Sequence, residues 1–127
     1  MKLGHVIHYV PDVAATCAFY KAAFGLETRF IADGEYAELI TGEAALGFAD
    51  EKFVQTTVGP IQSNRPNALP AAMEIAFMVG DVEIAYRKAL LHGAVAVAPP
   101  TRKPWGQVVA YVRDNNGALV ELCTKVR

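Results

Sequence analysis

The chain has 127 residues, 53% of them hydrophobic and 20% charged, with a formal net charge of −1. This is apolar material enough for one respectable core, and it excludes a disordered chain. No basic stripe offers itself to nucleic acid, and no apolar run reaches the ~20 residues of a membrane span.

In chain order, MKLGHVIHYVPD meets charge and proline too early for a secretory signal. Within it, Gly4–Val10 reads as a strand closed by Pro11-Asp12, with Asp12 placed to cap a helix. Val13, Thr16, Cys17, Tyr20 and Phe24 recur on one helical face, and Gly25 stops the helix. Three short strands follow, at about Leu26–Ile31, Tyr36–Thr41 and Ala44–Ala49, with turns at Asp33-Gly34 and Thr41-Gly42. Residues 51–70, rich in proline and polar groups, read as a linker with one turn of helix at its start.

The pattern then repeats. Ala72–Val79 reads as a buried strand and Gly80-Asp81 as its stop. Val82, Ala85, Tyr86, Ala89 and Leu90 mark a second helix, ended by His92-Gly93. Strands follow at about Val95–Ala98, Gln107–Arg113 and Ala118–Lys125, the last two joined by the hairpin signal DNNG. The chain therefore reads as α+β: a βαβββ module over about 1–50, a linker over about 51–70, and a second module over about 71–127.

The repeat is the most informative feature. HVIHYVPDV and EIAFMVGDV align without a gap, and His5 falls on Glu74. A carboxylate in an apolar strand costs several kcal/mol, to order of magnitude, unless it is paired, solvated or bound to metal. Strand parity puts His5, Ile7 and Tyr9 on the face away from the helix, and Glu74 likewise. His8 has the opposite parity and reads as packing. In the last strand Glu121 points with Leu119 and Cys123; matching Leu122 to Phe48 makes Gly47 its counterpart. Two curled sheets facing each other would gather His5, Glu74 and Glu121, with an empty fourth position at Gly47. Cys17 and Cys123, isolated in apolar settings, read as reduced packing residues of a cytoplasmic protein.

With these residues in view the chain resembles the vicinal oxygen chelate superfamily, which includes glyoxalase I, extradiol dioxygenases, fosfomycin resistance enzymes and bleomycin resistance proteins. The resemblance rests on the paired modules, on FYKAAFGLE (Phe19–Glu27), on KPWGQ (Lys103–Gln107) and on VRDNNGALVEL (Val112–Leu122). It implies a cupped mixed sheet with helices outside and a homodimer. Carried over residue by residue, it implies metal ligands at His5, Glu74 and Glu121, with Glu74 and Glu121 also the catalytic candidates. Gly47 departs from the pattern because it has no side chain to coordinate with; Glu74 departs because many members carry His or Gln there. The implied cofactor is a divalent metal (Mn, Fe, Mg, Ni or Zn), the oxygen-rich donor set favouring Mn, Fe or Mg. No organic cofactor is indicated.

Trp105, Arg102, Lys103, Gln107 and Tyr9 are the substrate-binding candidates, with Tyr36, Glu38 and Tyr111 as further pocket residues. Each also has a plain reading: Trp105 as a structural plug, and Arg102 and Lys103 as solvated cations. Three functions remain open on sequence. One is a metal-dependent enzyme of the glyoxalase or dioxygenase type, acting on a small molecule with vicinal oxygens. Another is a metal-free drug- or metabolite-binding protein, and the third an interaction module whose site has decayed.

Overall fold

The computed structural model describes residues 1–126. The order of elements is β1 (His5–Val10), α1 (Val13–Phe24), β2 (Thr28–Ala32), β3 (Tyr36–Leu39), β4 (Ala45–Asp50), α2 (Glu51–Val58), β5 (Glu74–Met78), α3 (Val82–Leu91), β6 (Val95–Arg102), β7 (Val108–Arg113) and β8 (Leu119–Cys123). The chain divides into two compact units, with the boundary between Ser63 and Asn64.

Each unit carries one four-stranded mixed sheet, in the order β1-β4-β3-β2 or β5-β8-β7-β6. The first strand of each module pairs in parallel with the last, and all other pairings are antiparallel. The two βαβββ modules are therefore present, as two separate open sheets.

In unit 1, Asp12 caps α1 by accepting a hydrogen bond from the Ala15 amide at 2.9 Å. Gly25, at φ 70°, ends the helix in a left-handed turn. The buried face of α1 is Val13, Thr16, Cys17, Tyr20 and Ala23. Tyr20 meets Phe48 of β4 edge-on at 4.8 Å between ring centroids, and both are fully buried. Burial of an aromatic of this size contributes roughly 1.5–3 kcal/mol, so this pair is the main anchor of helix to sheet. Unit 2 repeats the arrangement with Asp81 as the cap of α3 and Val82 and Ala89 buried, above Ala110, Val112, Val120 and Leu122.

The connecting segment differs from the expected linker. Residues 51–58 form two turns of helix, capped by Asp50, whose carboxylate accepts from the Phe53 amide at 2.9 Å. The later part is tied to unit 2. Arg113 Nη2 donates to the carbonyls of Ala68 (2.6 Å) and Arg65 (3.1 Å), and its Nε donates to Gly117 (2.9 Å). Strand β6 is longer than expected and takes in Pro99 and Pro100, which an edge strand tolerates because no neighbour asks for their amides.

Candidate functional site

The strand registers settle which positions correspond. His5 pairs with Ala45 in β4, and Glu74 pairs with Leu119 in β8. Counting along, Gly47 and Glu121 are equivalent, as the sequence match of Phe48 to Leu122 implied. Within unit 1 the face away from α1 presents His5, Ile7 and Tyr9 from β1, Gly47 from β4, and Tyr36 and Glu38 from β3. Within unit 2 the same face presents Glu74 from β5, Glu121 from β8 and Tyr111 from β7.

The strand of Glu74 is not buried, which corrects the sequence reading. β5 is an edge strand with alternate residues exposed, Glu74, Ala76 and Met78 among them. Met78 is 72% exposed and Met73 56%. The carboxylate of Glu74 therefore lies on the open face, where the desolvation cost inferred from sequence is only partly incurred.

Glu74 and Glu121 nonetheless titrate as a pair. Partial burial pushes the Glu74 carboxyl up, and its hydrogen bond with Glu121 and the charge of that carboxylate push it further. For Glu121, burial also acts upward. Hydrogen bonds from Tyr111, Glu74 and Cys123, with the ammonium of Lys103, outweigh it and hold the carboxyl low. The two carboxyls are thus driven apart, Glu74 upward and Glu121 downward. The Tyr111 hydroxyl donates to Glu121 Oε1 at 2.7 Å, and that bond, before burial, pushes the phenol up to about 12. Cys123 is buried and free; burial, then its bond to Glu121, pushes its thiol up to about 11. It is a thiol and not a nucleophile at neutral pH.

Arg102 ends β6, the loop after it holds Lys103 and Trp105, and Gln107 stands just before β7. Trp105 is 60% exposed, and its indole N–H donates to Gln107 Oε1 at 2.9 Å. Gln107 in turn donates from Nε2 to the Thr124 carbonyl at 3.0 Å. Both ends of that amide are committed, so Gln107 fixes the ring of Trp105 against β8. Arg102 Nη1 donates to the Gly106 carbonyl at 2.9 Å within its own turn. Lys103 is half-buried, and its charge reaches Glu121.

In unit 1, His5 Nε2 lies 3.1 Å from Glu38 Oε2, which also accepts from the Tyr36 hydroxyl at 2.9 Å. Arg29 Nε is 3.8 Å from Glu38 Oε1. Burial, then the bond to Glu38, pushes the Tyr36 phenol up to about 12. The position at Gly47 is not empty. A Cβ there would stand 2.7 Å from the Tyr36 hydroxyl and 2.9 Å from its ring, so the ring occupies the space a side chain would need. Tyr9 is half-buried on the same face. Arg29 has no signal in the sequence, because a β-bulge between Thr28 and Phe30 breaks the parity that would have aimed it.

His5 thus belongs to unit 1, and Glu74 and Glu121 to unit 2. Among the described residues, no three His, Cys, Asp or Glu side chains come together in a group that could hold a metal ion. Each unit offers a pair. The chemistry of both pairs fits a hard or borderline cation: an imidazole nitrogen facing a carboxylate, and two carboxyls close enough to share a proton in the place a cation would take.

The sequence model of the Glyoxalase/Bleomycin resistance protein/Dioxygenase superfamily matches residues 2–122, and the chain belongs to that superfamily. A glyoxalase-related enzyme from Fulvimarina pelagi is similar in structure, with TM-score 0.84 at 21% identity, covering 98% of this chain and 88% of that one. A glyoxalase/bleomycin resistance protein/dioxygenase family enzyme from Burkholderia phytofirmans PsJN gives TM-score 0.84 at 19% identity over the whole of both chains. TioX from Micromonospora sp. ML1 gives 0.71 at 22% identity over 98% of each. At these identities the likeness is one of fold. No curated protein matches the chain. The fold is that of small-molecule enzymes and binding proteins, and among the described residues no helix is long and apolar enough to cross a membrane.

Proposed function

We propose that the protein is a small-molecule enzyme of the glyoxalase or dioxygenase type. His5, Glu74 and Glu121 are the residues that would hold a divalent cation. The observation that supports this is the strand register, which gives His5 and Glu74 one structural position and puts Glu121 on the face of Glu74, to which it is hydrogen-bonded. When bound, the cation would act as a Lewis acid toward vicinal oxygens of the substrate.

The chain's own residues supply the rest. Glu121, the carboxyl held low, would serve as the proton acceptor, and Glu74, the carboxyl pushed up, as the donor. Two carboxyls with their pKa values driven apart are the arrangement that general acid–base catalysis at a carbon next to a carbonyl needs. Tyr111 fixes the Glu121 carboxylate in one orientation. The exposed ring of Trp105, held by Gln107, offers a flat surface for a substrate, with Lys103 and Arg102 near it in sequence; Tyr9 is the substrate-binding candidate on the open face of unit 1. The enzyme acts as a homodimer in the cytoplasm, in keeping with two free cysteines.

A second reading is favoured by the same carboxyl pair without metal. Two exposed or half-exposed carboxyls beside an exposed tryptophan suit a cationic aromatic ligand, as in a drug-binding protein. Metal content of untagged protein, measured by mass spectrometry beside Glu74→Gln, decides between them. Near-stoichiometric Mn, Fe, Mg, Ni or Zn that is lost in the variant is the expected result. No metal, even after incubation with those ions, sinks the enzyme reading and leaves the binder.

A further inference from the structure

The turn between β6 and β7 lies wholly within unit 2 and is closed by its own hydrogen bonds. The Lys103 amide donates to the Gln107 carbonyl at 2.7 Å, the Gly106 amide donates to the Lys103 carbonyl at 2.9 Å, and Arg102 Nη1 donates to the Gly106 carbonyl. Pro104 fixes φ at the second position of that turn, and Gly106 closes it at φ +91°. In the ladder below, Thr101 faces Val109 and Arg102 faces Val108. The bond from Lys103 to Gln107 continues that register, and opposed residues of an antiparallel pair share a face. It is the face of Tyr111 and Glu121: Gln107 has the parity of Tyr111, and its side chain is bonded to the Cys123 thiol. The half-buried Lys103 ammonium acts on Glu121 through its charge, yet among the described residues it forms no ion pair. Such a cation on an open face invites an anion. In the same turn Trp105 is 60% exposed, with its N–H edge committed to Gln107.

We propose that this turn is a binding site for aromatic carboxylates, with Lys103 Nζ receiving the carboxylate and the Trp105 indole receiving the ring. The inference goes beyond the reading above by naming the class of ligand, and it stands with or without a bound cation. The turn is ordered before any ligand arrives, so little freedom is lost on binding. A flat ring on an indole gains more than its buried area alone. The charged side chains of the segment, Arg102 and Lys103, are both cations. Glu121 belongs to the row of Tyr111, about 13 Å along the strand from Gln107 at ~3.3 Å per residue. A cationic ring on Trp105 would therefore meet like charge first, and an anionic one opposite charge.

Trp105 is the single tryptophan of the chain, so its fluorescence reports this turn alone. The test titrates chelator-treated protein with benzoate, benzamide, benzamidine and cyclohexanecarboxylate. Wild type is compared with Lys103→Met, which keeps the apolar stem and loses the charge. Benzoate is expected to quench saturably and to bind about tenfold more tightly than benzamide, the margin of a charge-assisted hydrogen bond over an ordinary one. Cyclohexanecarboxylate, which has no ring to stack, should bind about fivefold more weakly than benzoate. In Lys103→Met the affinity for benzoate should drop to that for benzamide, with benzamide itself unmoved, which also shows that the turn is intact. Benzoate no tighter than benzamide in wild type, or a change in Lys103→Met that is the same for both, overturns the inference. So does the absence of saturable quenching by any of the four. Benzamidine as the tightest ligand overturns it in favour of the cationic ligand of the second reading. With the chelator present, none of these outcomes bears on the metal reading, which fails or stands on metal content.

Discussion

The two units build the same sheet and furnish its open face with opposite chemistry. In unit 1 a carboxylate, Glu38, is surrounded by an imidazole, a guanidinium and a phenol. In unit 2 a carboxylate, Glu121, is set against a second carboxyl, and a phenol, a thiol and an ammonium offset the repulsion. One half holds its acid among donors; the other sets it against a second acid. The comparison also shows that equivalent positions need not carry equivalent groups. The position filled by Glu121 in one sheet is vacated to a tyrosine ring in the other, and the acid comes from the adjacent strand.

The comparison can be broken at its turns, where the largest effect is expected. Gly117, between β7 and β8, has φ +87°, and a Cβ there would stand 2.5 Å from the Arg65 carbonyl. Gly42, in the matching turn of unit 1, has φ +112° and open space around it. Gly117→Ala is expected to cost about 3 kcal/mol in urea unfolding, from strain plus a displaced backbone, and Gly42→Ala about 1 kcal/mol from strain alone. Equal costs would mean that the docked linker contributes nothing to unit 2.

The two phenols come next. Tyr111→Phe and Tyr36→Phe each remove one hydrogen bond to a carboxylate, worth about 1 kcal/mol, readable as a lower Tm. Only Tyr111→Phe should also move the Glu121 carboxyl upward in an NMR titration, since that hydroxyl is the first of the groups holding it low. If the Glu121 titration stays put, Glu74 and Lys103 suffice.

The smallest effect is one of pH. A carboxyl raised in the folded state binds its proton more tightly there than in the unfolded chain. Stability then falls as pH climbs from the ordinary carboxylate range through the raised value. Glu74 is in that position, and Glu121 in the reverse one, contributing stability that is lost as pH falls. In chelator-treated protein, Glu74→Gln should therefore raise Tm at pH 7 and give no gain near pH 4. The rise should be no more than about 2 °C, because the side chain is exposed and screened. A variant less stable at pH 7 would show that Glu74 is held by a partner other than Glu121.

Much of this was legible before any coordinates. Asp12, Asp81 and Gly25 marked the ends of helices α1 and α3 because caps act locally. The alternation of β1 and β8 and the equivalence of His5 with Glu74 needed only parity and a gapless repeat. Asp33 and Gly34 both have positive φ, as an Asp-Gly hairpin turn requires. Helix α2 was read as a single turn because EKFVQTTV holds four β-branched residues and runs into prolines; its cap, Asp50, is also the last residue of a strand. The exposure of β5 was missed because an apolar run does not say whether its strand is central or at an edge. Glu38 could be placed on the open face by parity, but its reach to His5 depends on the register of β3 against β4 and on a glycine between them. Contacts across three strands leave no periodicity in one strand.

The grip of Arg113 on the carbonyls of Arg65 and Ala68 has a consequence for anyone dividing the gene. The apparent spacer is two pieces of different ownership: a helix that packs on the first sheet, and an arm pinned beneath the last hairpin of the second. A half-length version of the second module begun at the strand would lack the arm, leaving an arginine whose acceptors had been discarded. The seam of the duplication, for shuffling or fusing such modules, falls ahead of Asn64.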